Sequence, residues 1–334
     1  MKKKALVFIL TGAAVLALSG CGGTEQKVSG SGLTTVRAAV MTNGAQHWIA
    51  AVGEEEGIFQ KYGIKLETSE FAAGINTVDA VVTGQADVGN LADYALVNRM
   101  GSTQDKNLLI LSRIGSGTGG ALYVDGSKVK SLEDLAGQPF ATQPGTVWDF
   151  WNAKTYEKAG IGETEQKLVK VDSAASAVAL MTTGKAAAFW ASGANAAKLE
   201  EGGLEKLLTL KDLGLTVDSY YITTASFIKE HEDVAENYLK ASKETVDWIY
   251  SHEEEAAEVV SEKLGTSKEQ FLSELQDTNL TIDYSEETKK HLEDIKAWAV
   301  AKGDFDDYEL SDFTDLEPLR AALPDAEAAE IGRA

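Results

Sequence analysis

Short apolar segments alternate with amphipathic segments along about the first two hundred residues of the chain. The apolar segments have the length of strands, and the segments between them carry apolar residues at helical spacing. The predicted strands are 35–41, 64–71, 86–90 and 106–115, and the predicted helices are 47–63, 75–84 and 93–102. The helical pattern of 47–63 is lost at Gly57 and Gly63. This order predicts a mostly parallel sheet with helices on both faces. In such sheets a ligand binds beyond the carboxyl ends of the strands.

The same alternation occurs a second time further along the chain. It runs through 131–160, 167–171, 173–184, 186–192 and 194–203. The tetrapeptide TGQA at 83–86 matches TGKA at 183–186, and each copy follows an apolar helix and precedes a strand. Self-similarity in two equivalent contexts predicts two related α/β lobes.

From about Ser226 the pattern changes to helices with few strands. In the first of these helices Val234, Tyr238, Ala241 and Ile249 recur at helical spacing, which is typical of a packed face. We expect the chain to cross to the second lobe near "GGALYVDG" and to return near "DSYYITTA". The predicted division is 34–121 with 222–334 for lobe 1 and 122–221 for lobe 2. Two crossovers would form a hinge on which the lobes close around a ligand.

The N-terminus has the pattern of an export signal. Three lysines precede an apolar run, Ala5 to Leu18, that is too short for a comfortable membrane span. The run ends in "LSGCGG", which resembles a bacterial lipoprotein signal and would make Cys21 a lipidated N-terminus on the extracytoplasmic face of the membrane. The alternative is a free thiol beside an ordinary secretory signal. We predict a signal peptide at 1–20 and a flexible Gly- and Ser-rich tether at 21–33.

Charge and cysteine content narrow the function classes. The formal net charge is −21, which argues against nucleic acid and anionic lipid as partners and indicates a solvated acidic surface. The chain has one cysteine, so no internal disulfide is expected.

No catalytic pattern is found in the sequence. The histidines, His47, His231, His252 and His291, are scattered without metal-ligand spacing, and the last three lie in the acidic helical region, where a solvated face is expected. The segment "GSGTGG" lacks the Lys-Ser/Thr of a phosphate loop, and no GxSxG nucleophile elbow is present. We therefore expect neither an enzyme nor a metal or cofactor.

Several segments together resemble the solute-binding proteins of ABC importers, in the group that binds sulfonates, taurine, nitrate and thiamine-precursor pyrimidines. They are "GIFQKYGI", "VVTGQADVGN", "KSLEDLAGQPFATQPGT", "ALMTTGKAAAFWASGANAAKLEEGG" and "LSDFTDLEPLRAAL". The resemblance implies a type II periplasmic-binding fold, a ligand held between two lobes, and delivery to a permease driven by a cytoplasmic ATPase. We expect a monomer. The pyrimidine synthases of this fold use a cysteine cluster, which this chain lacks.

The candidate ligand-binding residues lie in loops at strand ends. They are Asn43, Gln46, His47 and Trp48 after the first strand, Asn90, Asp93 and Tyr94 around the end of the third, Arg113, Thr146 and Trp148, Trp190 and Ser192, and Tyr220 at the return crossover. These polar and aromatic side chains suit a small-ligand pocket. Trp48 is equally consistent with a core aromatic. Thr146 and Gly145 begin a helix whose N–H groups suit an anionic head group, and Thr146 is also a natural N-cap.

Two charged residues bear on the ligand. Arg113 is the one arginine placed to reach the cleft and neutralise a sulfonate, unless it pairs with a surface acid. An unpartnered Asp93 would repel a plain anion by a few kcal/mol at an effective dielectric of about 20. It would favour a ligand with an amine, such as a taurine-like zwitterion, or an aminopyrimidine. Asp93 could also serve as the N-cap of the following helix, and both roles are compatible. A sensor lipoprotein or an enzyme on the same fold is the alternative class.

Overall fold

The structure is a computed structural model, and it describes residues 32–42 and 44–327. The strands are β1 Thr34–Met41, β2 Ile64–Phe71, β3 Val88–Ala92, β4 Leu108–Gly117, β5 Ala121–Val124, β6 Phe140–Thr142, β7 Leu168–Lys170, β8 Ala188–Ala191, β9 Glu205–Thr209, β10 Val217–Thr224 and β11 Thr278–Asp283. The α-helices are α1 Ala45–Glu55, α2 Ile58–Lys61, α3 Gly74–Val82, α4 Asp93–Thr103, α5 Val147–Ala159, α6 Ala174–Thr182, α7 Gly193–Glu201, α8 Leu210–Leu213, α9 Ala225–Glu230, α10 Glu232–Ser251, α11 Glu253–Leu264, α12 Lys268–Gln276, α13 Glu286–Lys302 and α14 Glu317–Ala322. Short 3₁₀ turns occur at Glu133–Leu135, Glu163–Glu165 and Leu310–Phe313.

The strands form two separate sheets, which confirms the predicted two-lobed α/β architecture. One sheet has six strands in the order β11-β4-β10-β3-β1-β2, and the other has five in the order β7-β6-β8-β5-β9. We call the first sheet with helices α1–α4 and α9–α14 lobe 1, and the second sheet with helices α5–α8 lobe 2. The chain passes between the sheets after β4 and again before β10. The exact lobe boundaries stay a prediction.

Both sheets are mixed, so the prediction of a mostly parallel sheet in each lobe is wrong. In lobe 1, β1 pairs in parallel with β2 and β3, as the alternating pattern predicts, but β10 is inserted antiparallel between β3 and β4. Lobe 2 has parallel pairs from β6 to β7 and β8, whereas β5 runs antiparallel to β8 and β9. The two strands at the crossovers, β4 and β10, therefore lie side by side in the first sheet.

Local sequence signals explain the helix boundaries. The predicted helix 47–63 is interrupted at Gly57, which adopts a φ of +67° between α1 and α2. A residue with a Cβ is strained at this angle, so the loss of the helical pattern at Gly57 marks a real break. The region after Ser226 is helical as predicted, with β11 as an added strand on the edge of the first sheet.

The apolar core extends through both lobes. The larger buried cluster contains Val36 and Ile110 from the first sheet and Trp190 from the second. The opposite face of the second sheet has a smaller cluster of its own, which includes Phe189 and Met181. Alternate residues of β8 thus enter different clusters, as expected for a strand buried on both faces. Within the described part of the chain, no helix combines the length and apolarity that crossing a membrane requires.

Candidate functional site

The two lobes contact each other on one flank through three aromatic rings. Tyr94, the second residue of α4, stacks on Phe150 of α5 with ring centroids 5.8 Å apart and 12° between the ring planes. Trp298 of α13 packs edge-on against Phe150 at 5.1 Å and against Tyr94 at 6.0 Å. Because Phe150 belongs to lobe 2 and the other two rings to lobe 1, the predicted ligand residue Tyr94 is part of an inter-lobe contact.

A second contact between the lobes involves a glycine and a carboxylate. A Cβ added to Gly193 at the start of α7 would lie 2.8 Å from Oε1 of Glu274 and 3.2 Å from Nε2 of Gln270, both on α12. The Gln270 amide donates to the Glu274 carboxylate at 2.8 Å. Burial raises the pKa of Glu274. The carboxylate of lobe 1 therefore faces the first turn of a helix in lobe 2, in the space where a helix favours negative charge.

Asp93 has partners within the protein. It is buried, and its Oδ1 accepts a hydrogen bond from the Tyr94 N–H at 2.7 Å. Its Oδ2 accepts from the Asp218 N–H at 2.9 Å and lies 2.8 Å from Nε2 of His291. The helix N-cap is Ala92, and Asp93 is the first helical residue, so the predicted N-cap role is wrong by one position. The carboxylate nevertheless satisfies one of the first N–H groups of α4, which is the chemistry of a cap.

His291 corrects a second prediction. It does not lie on a solvated face, because its side chain is only 26 % exposed and its Nε2 meets Asp93. Burial alone would lower the pKa of His291, but the hydrogen bond to Asp93 and the negative charges of Asp93 and Asp218 outweigh burial and raise it. The partner that Asp93 meets is therefore a histidine of α13, which is a cation when it is protonated.

Arg113 also pairs inside the protein. Its Nε and one terminal nitrogen donate to the two carboxylate oxygens of Asp283 at 2.8 Å each, and the other terminal nitrogen lies 3.5 Å from Asp218. Tyr220 donates its hydroxyl to Asp218 at 3.3 Å. The predicted pairing of Arg113 with an acid is thus observed, but its partners are the buried Asp218 and the partly buried Asp283 and not a surface acid. Burial raises the pKa of Asp218, with His291 and Arg113 acting in the opposite direction and Asp93 in the same.

Two of the predicted tryptophans lie in apolar cores. Trp190 has no exposed surface, donates its indole N–H to Thr155 at 3.2 Å and packs edge-on against Trp151. Trp48 packs edge-on against Phe271 of α12 at 5.1 Å. Of the alternatives for Trp48, the structure shows the core aromatic. A ligand role for either residue stays a prediction.

Residues around the start of α1 and the end of β3 are engaged in local contacts. Gln46 is fully buried, with its amide nitrogen 3.5 Å from the Tyr238 hydroxyl. His47 lies 3.3 Å from Glu70, and Asn90 accepts a hydrogen bond from the Met41 N–H at 3.2 Å. Asn90 thereby bridges β1 and β3 where their backbone pairing ends. Asn43 and Cys21 lie outside the described residues.

The start of α5 carries a resident carboxylate. Thr146 is the N-cap, as predicted, and its hydroxyl accepts from the Trp148 N–H. Asp149 accepts from the Gly145 N–H at 2.7 Å and from the Thr142 hydroxyl at 2.6 Å. The N–H of Gly145, predicted to suit an anionic ligand, is therefore already engaged. Trp148 is half-buried and packs edge-on against Phe189.

The starts of α1 and α7 differ from those of α4 and α5. The N-cap of α1 is Gly44, which has no side chain, and Ser192 caps α7 without a side-chain hydrogen bond. Ser192 is exposed. Both helices follow parallel-type strands and begin at the edge where ligands bind in such sheets. In the part of the chain that the structure describes, no group of three or more His, Cys, Asp or Glu side chains is arranged to hold a metal ion.

Several residues that shape this region were not among the predicted ones: Phe150, Asp218, Glu274, His291 and Trp298. The sequence separation between Asp93 and His291 is 198 residues, and that between Asp93 and Asp218 is 125. No local pattern links such positions. The one available signal was Asp218 at the head of "DSYY", which was predicted to lie at the return crossover.

Comparisons with known proteins agree with the fold. A family model described as NMT1/THI5 like matches residues 44–256. A Bacillus subtilis protein, provisionally described as an aliphatic sulfonates-binding protein, is 23 % identical over 267 residues, which is 78 % of each chain. The alkanesulfonate-binding protein SsuA of Xanthomonas axonopodis pv. citri, solved bound to MOPS, is similar with a TM-score of 0.73 and 14 % identity over 84 % of this chain and 98 % of its own.

An enzyme shares the same fold. The desulfurization enzyme DszB is similar with a TM-score of 0.68 and 14 % identity, over 87 % of this chain and 99 % of its own. At such identities the solved structures establish the fold and not the chemistry. The family model, by contrast, covers well over half of the chain and includes the first turns of α1, α4, α5 and α7. The chain belongs to the NMT1/THI5-like family.

Proposed function

We propose that the protein is the extracytoplasmic solute-binding component of an ABC importer, and that it captures a small organic sulfonate between its lobes and hands it to a permease. The observation that carries the proposal is the meeting of the two lobes through the first turns of α4, α5 and α7. A small molecule held there would touch both lobes and favour their closure. The names of the similar proteins, which refer to sulfonate binding, support the ligand class.

The ligand's anionic group is proposed to meet the start of α1. This helix has no side-chain cap, whereas Asp93 and Asp149 already engage N–H groups at the starts of α4 and α5, and the Glu274 carboxylate faces the start of α7. Helix N-termini stabilise anions through free N–H groups and the helix dipole. A taurine-like zwitterion remains within the proposed class. The preference for an amine, however, loses its support from Asp93, because that carboxylate is paired with His291.

A heteroaromatic ligand is the second candidate. It is favoured by the half-buried indole of Trp148 beside the start of α5, which offers a stacking surface. The cysteine-dependent chemistry of the pyrimidine synthases of this fold is disfavoured, because the chain's one cysteine is Cys21.

A thermal-shift panel tests the proposal. The protein from residue 22 onward is heated with taurine, ethanesulfonate, propionate, nitrate or an aminopyrimidine, because binding to the folded state raises its apparent stability. We expect a shift with at least one sulfonate and none with propionate. A shift with the aminopyrimidine alone would support the second candidate instead. Release of sulfite from any sulfonate on prolonged incubation would indicate an enzyme.

Anchoring through a lipidated Cys21 is part of the proposal. We expect the full-length protein to sediment with membranes of a bacterial host and Cys21→Ser to be released from them. Equal release of both proteins would contradict lipid anchoring and leave the free exported thiol.

A further inference from the structure

Helix α13 contacts both lobes with different ends. Near its start, Nε2 of His291 lies 2.8 Å from Oδ2 of Asp93 in lobe 1. About two turns later, Trp298 donates its indole N–H to Glu157 of α5 in lobe 2 at 3.0 Å and packs on Phe150 at 5.1 Å. One rigid helix therefore links a buried charge in lobe 1 to the surface of lobe 2.

The C-terminal part of α13 contacts lobe 2 through Trp298. The ammonium group of Lys154 on α5 lies 5.3 Å from the centre of the Trp298 ring and 5.6 Å from that of Phe150. Lys302 approaches Trp298 at 5.0 Å. Cations over aromatic faces are attracted by the ring electrons. Lys302 lies on α13 itself, so a small shift of this helix would leave its contact with Trp298 intact but would disturb the contacts of Trp298 with Lys154, Phe150 and Glu157.

The N-terminal part of α13 contacts a cluster of charged residues near the start of β10. The groups that face His291 come from three elements: Asp93 at the start of α4, Asp218 on β10 and Arg113 on β4. Behind them lie Asp283 on β11, paired with Arg113, and the Tyr220 hydroxyl, bonded to Asp218. Asp218 is the second residue of β10, directly after the chain returns from lobe 2. The cluster therefore lies at the return crossover between the two sheets.

The cluster has only one positive charge, that of Arg113, when His291 is neutral. Three carboxylates, those of Asp93, Asp218 and Asp283, then face a single guanidinium. A proton on His291 adds a second cation at 2.8 Å from Asp93 and converts that contact into a charge-assisted hydrogen bond. At low dielectric the attraction between these groups is strong, and so is the repulsion that remains without the proton.

We propose that His291 is a protonation-sensitive positioning residue, which in its charged form holds α13 against Asp93 and Asp218 and thereby keeps Trp298 seated on α5. When His291 loses its proton, α13 is held less firmly and the contact between the lobes weakens. If the protein binds a solute between its lobes, as proposed above, affinity falls with the same titration. This last step rests on the proposed function, whereas the coupling of His291 to Trp298 does not.

The titration properties of the cluster agree with this inference. The pKa of His291 is raised above its ordinary 6.5, because the hydrogen bond to Asp93 and the charges of Asp93 and Asp218 outweigh the opposing effect of burial. The proton is therefore lost above that value, in a range where Arg113 stays charged.

The first test measures the environment of Trp298 by fluorine NMR, with no ligand present. The protein is labelled with 5-fluorotryptophan, the Trp298 resonance is assigned by its loss in Trp298→Phe, and fluorine spectra are recorded from pH 5.5 to 8.5. In parallel, the ring protons of His291 are titrated by NMR. We expect the Trp298 resonance to shift with the midpoint of the His291 titration. In His291→Gln, which keeps a hydrogen-bond donor toward Asp93 but cannot titrate, the shift should be lost.

The matched control is His252→Gln. His252 is exposed and stacks on Trp248, far along the chain from Asp93, so the Trp298 titration should survive this change. A Trp298 resonance that does not move with pH in the unchanged protein would overturn the inference. So would a resonance that moves equally in His291→Gln.

Affinity gives a separate readout. Ethanesulfonate is the probe, because it stays ionised over the whole range, and its binding is measured by calorimetry at pH 5.5 and 8.5. We expect affinity to fall about fivefold with rising pH in the unchanged protein and in His252→Gln, and less than twofold in His291→Gln. An equal fall in all three would overturn the coupling to the ligand. Absence of binding at every pH would refute the proposed function, while the fluorine measurement would still decide the role of His291.

Discussion

Replacing Asp93 by Ala is expected to destabilise the protein strongly. The change removes the acceptor of the Tyr94 and Asp218 N–H groups and the partner of His291, all at 2.7–2.9 Å. Asp93 is only 2 % exposed, so water cannot replace the lost acceptor without a rearrangement. Removing one partner of a buried ion pair typically costs about 3–5 kcal/mol, part of which is the desolvation of donors left unpaired. We therefore expect a loss of about 3–5 kcal/mol in the free energy of unfolding.

Asp93→Asn separates the charge from the hydrogen bonds. The amide oxygen can still accept one hydrogen bond, while its NH₂ group opposes His291 or a backbone N–H. We expect an intermediate loss of about 2 kcal/mol, the cost of a charged hydrogen bond. Asp294→Ala is the matched control, because Asp294 forms an exposed pair with Lys290 on α13 and such pairs contribute less than about 1 kcal/mol.

The assay is urea unfolding at pH 6, followed by far-ultraviolet circular dichroism, together with ligand titration of each variant. If Asp93→Ala retained the stability of the unchanged protein within about 0.5 kcal/mol but lost its affinity for an amine-bearing sulfonate, the carboxylate would be a ligand contact. The internal role derived from its three hydrogen bonds would then be wrong.

Further outcomes follow from other contacts. Gly193→Ala should weaken ligand affinity severalfold, because it adds a Cβ 2.8 Å from Glu274 at a φ of +54°. Gly203→Ala is the control for backbone strain alone, since Gly203 has a φ of +76° and open space around it. Equal affinities of the two variants in calorimetry would refute the inter-lobe contact. Trp190→Ala should cost about 3–5 kcal/mol of stability in urea unfolding, because the residue is fully buried and bonded to Thr155; a stable variant with lost affinity would instead support its predicted ligand role. The free energy of unfolding should fall as pH rises, because folding raises the pKa of His291 above its ordinary 6.5. The stabilisation that comes from protonated His291 is fully present below pH 6.5, and it is lost as the pH rises through the higher pKa of the folded state. Melting temperatures from pH 5.5 to 8.5 test this, and a slope unchanged in His291→Gln would contradict it.

The fold was predictable because its signals are local. Alternating strands and helices, the repeat at 83–86 and 183–186, and the break at Gly57 are each readable within a few turns of the chain. The antiparallel insertion of β10 was not, since strand order depends on pairing between segments more than a hundred residues apart. The lobe boundary near "DSYY" stays a prediction, and the place of β10 in the middle of the first sheet required the structure.

The site was predictable only in part. The role of Thr146 as a helix N-cap follows from its residue type and position, and the structure confirms it. The partner of Asp93 could not be found, because His291 lies in an acidic helix whose local sequence indicates solvent exposure. A single histidine directed at a buried carboxylate leaves no periodic signal. Glu274 is a similar case, since its carboxylate meets α7 only through the arrangement of the two lobes.

The most direct test of the central claim is calorimetric titration of the purified protein, from residue 22 onward, with small sulfonates and their carboxylate analogues. The account predicts that at least one sulfonate binds with one-to-one stoichiometry and micromolar or tighter affinity. The carboxylate of matching chain length should bind at least tenfold more weakly. If no sulfonate bound at millimolar concentration, capture of a sulfonate between the two lobes would be contradicted.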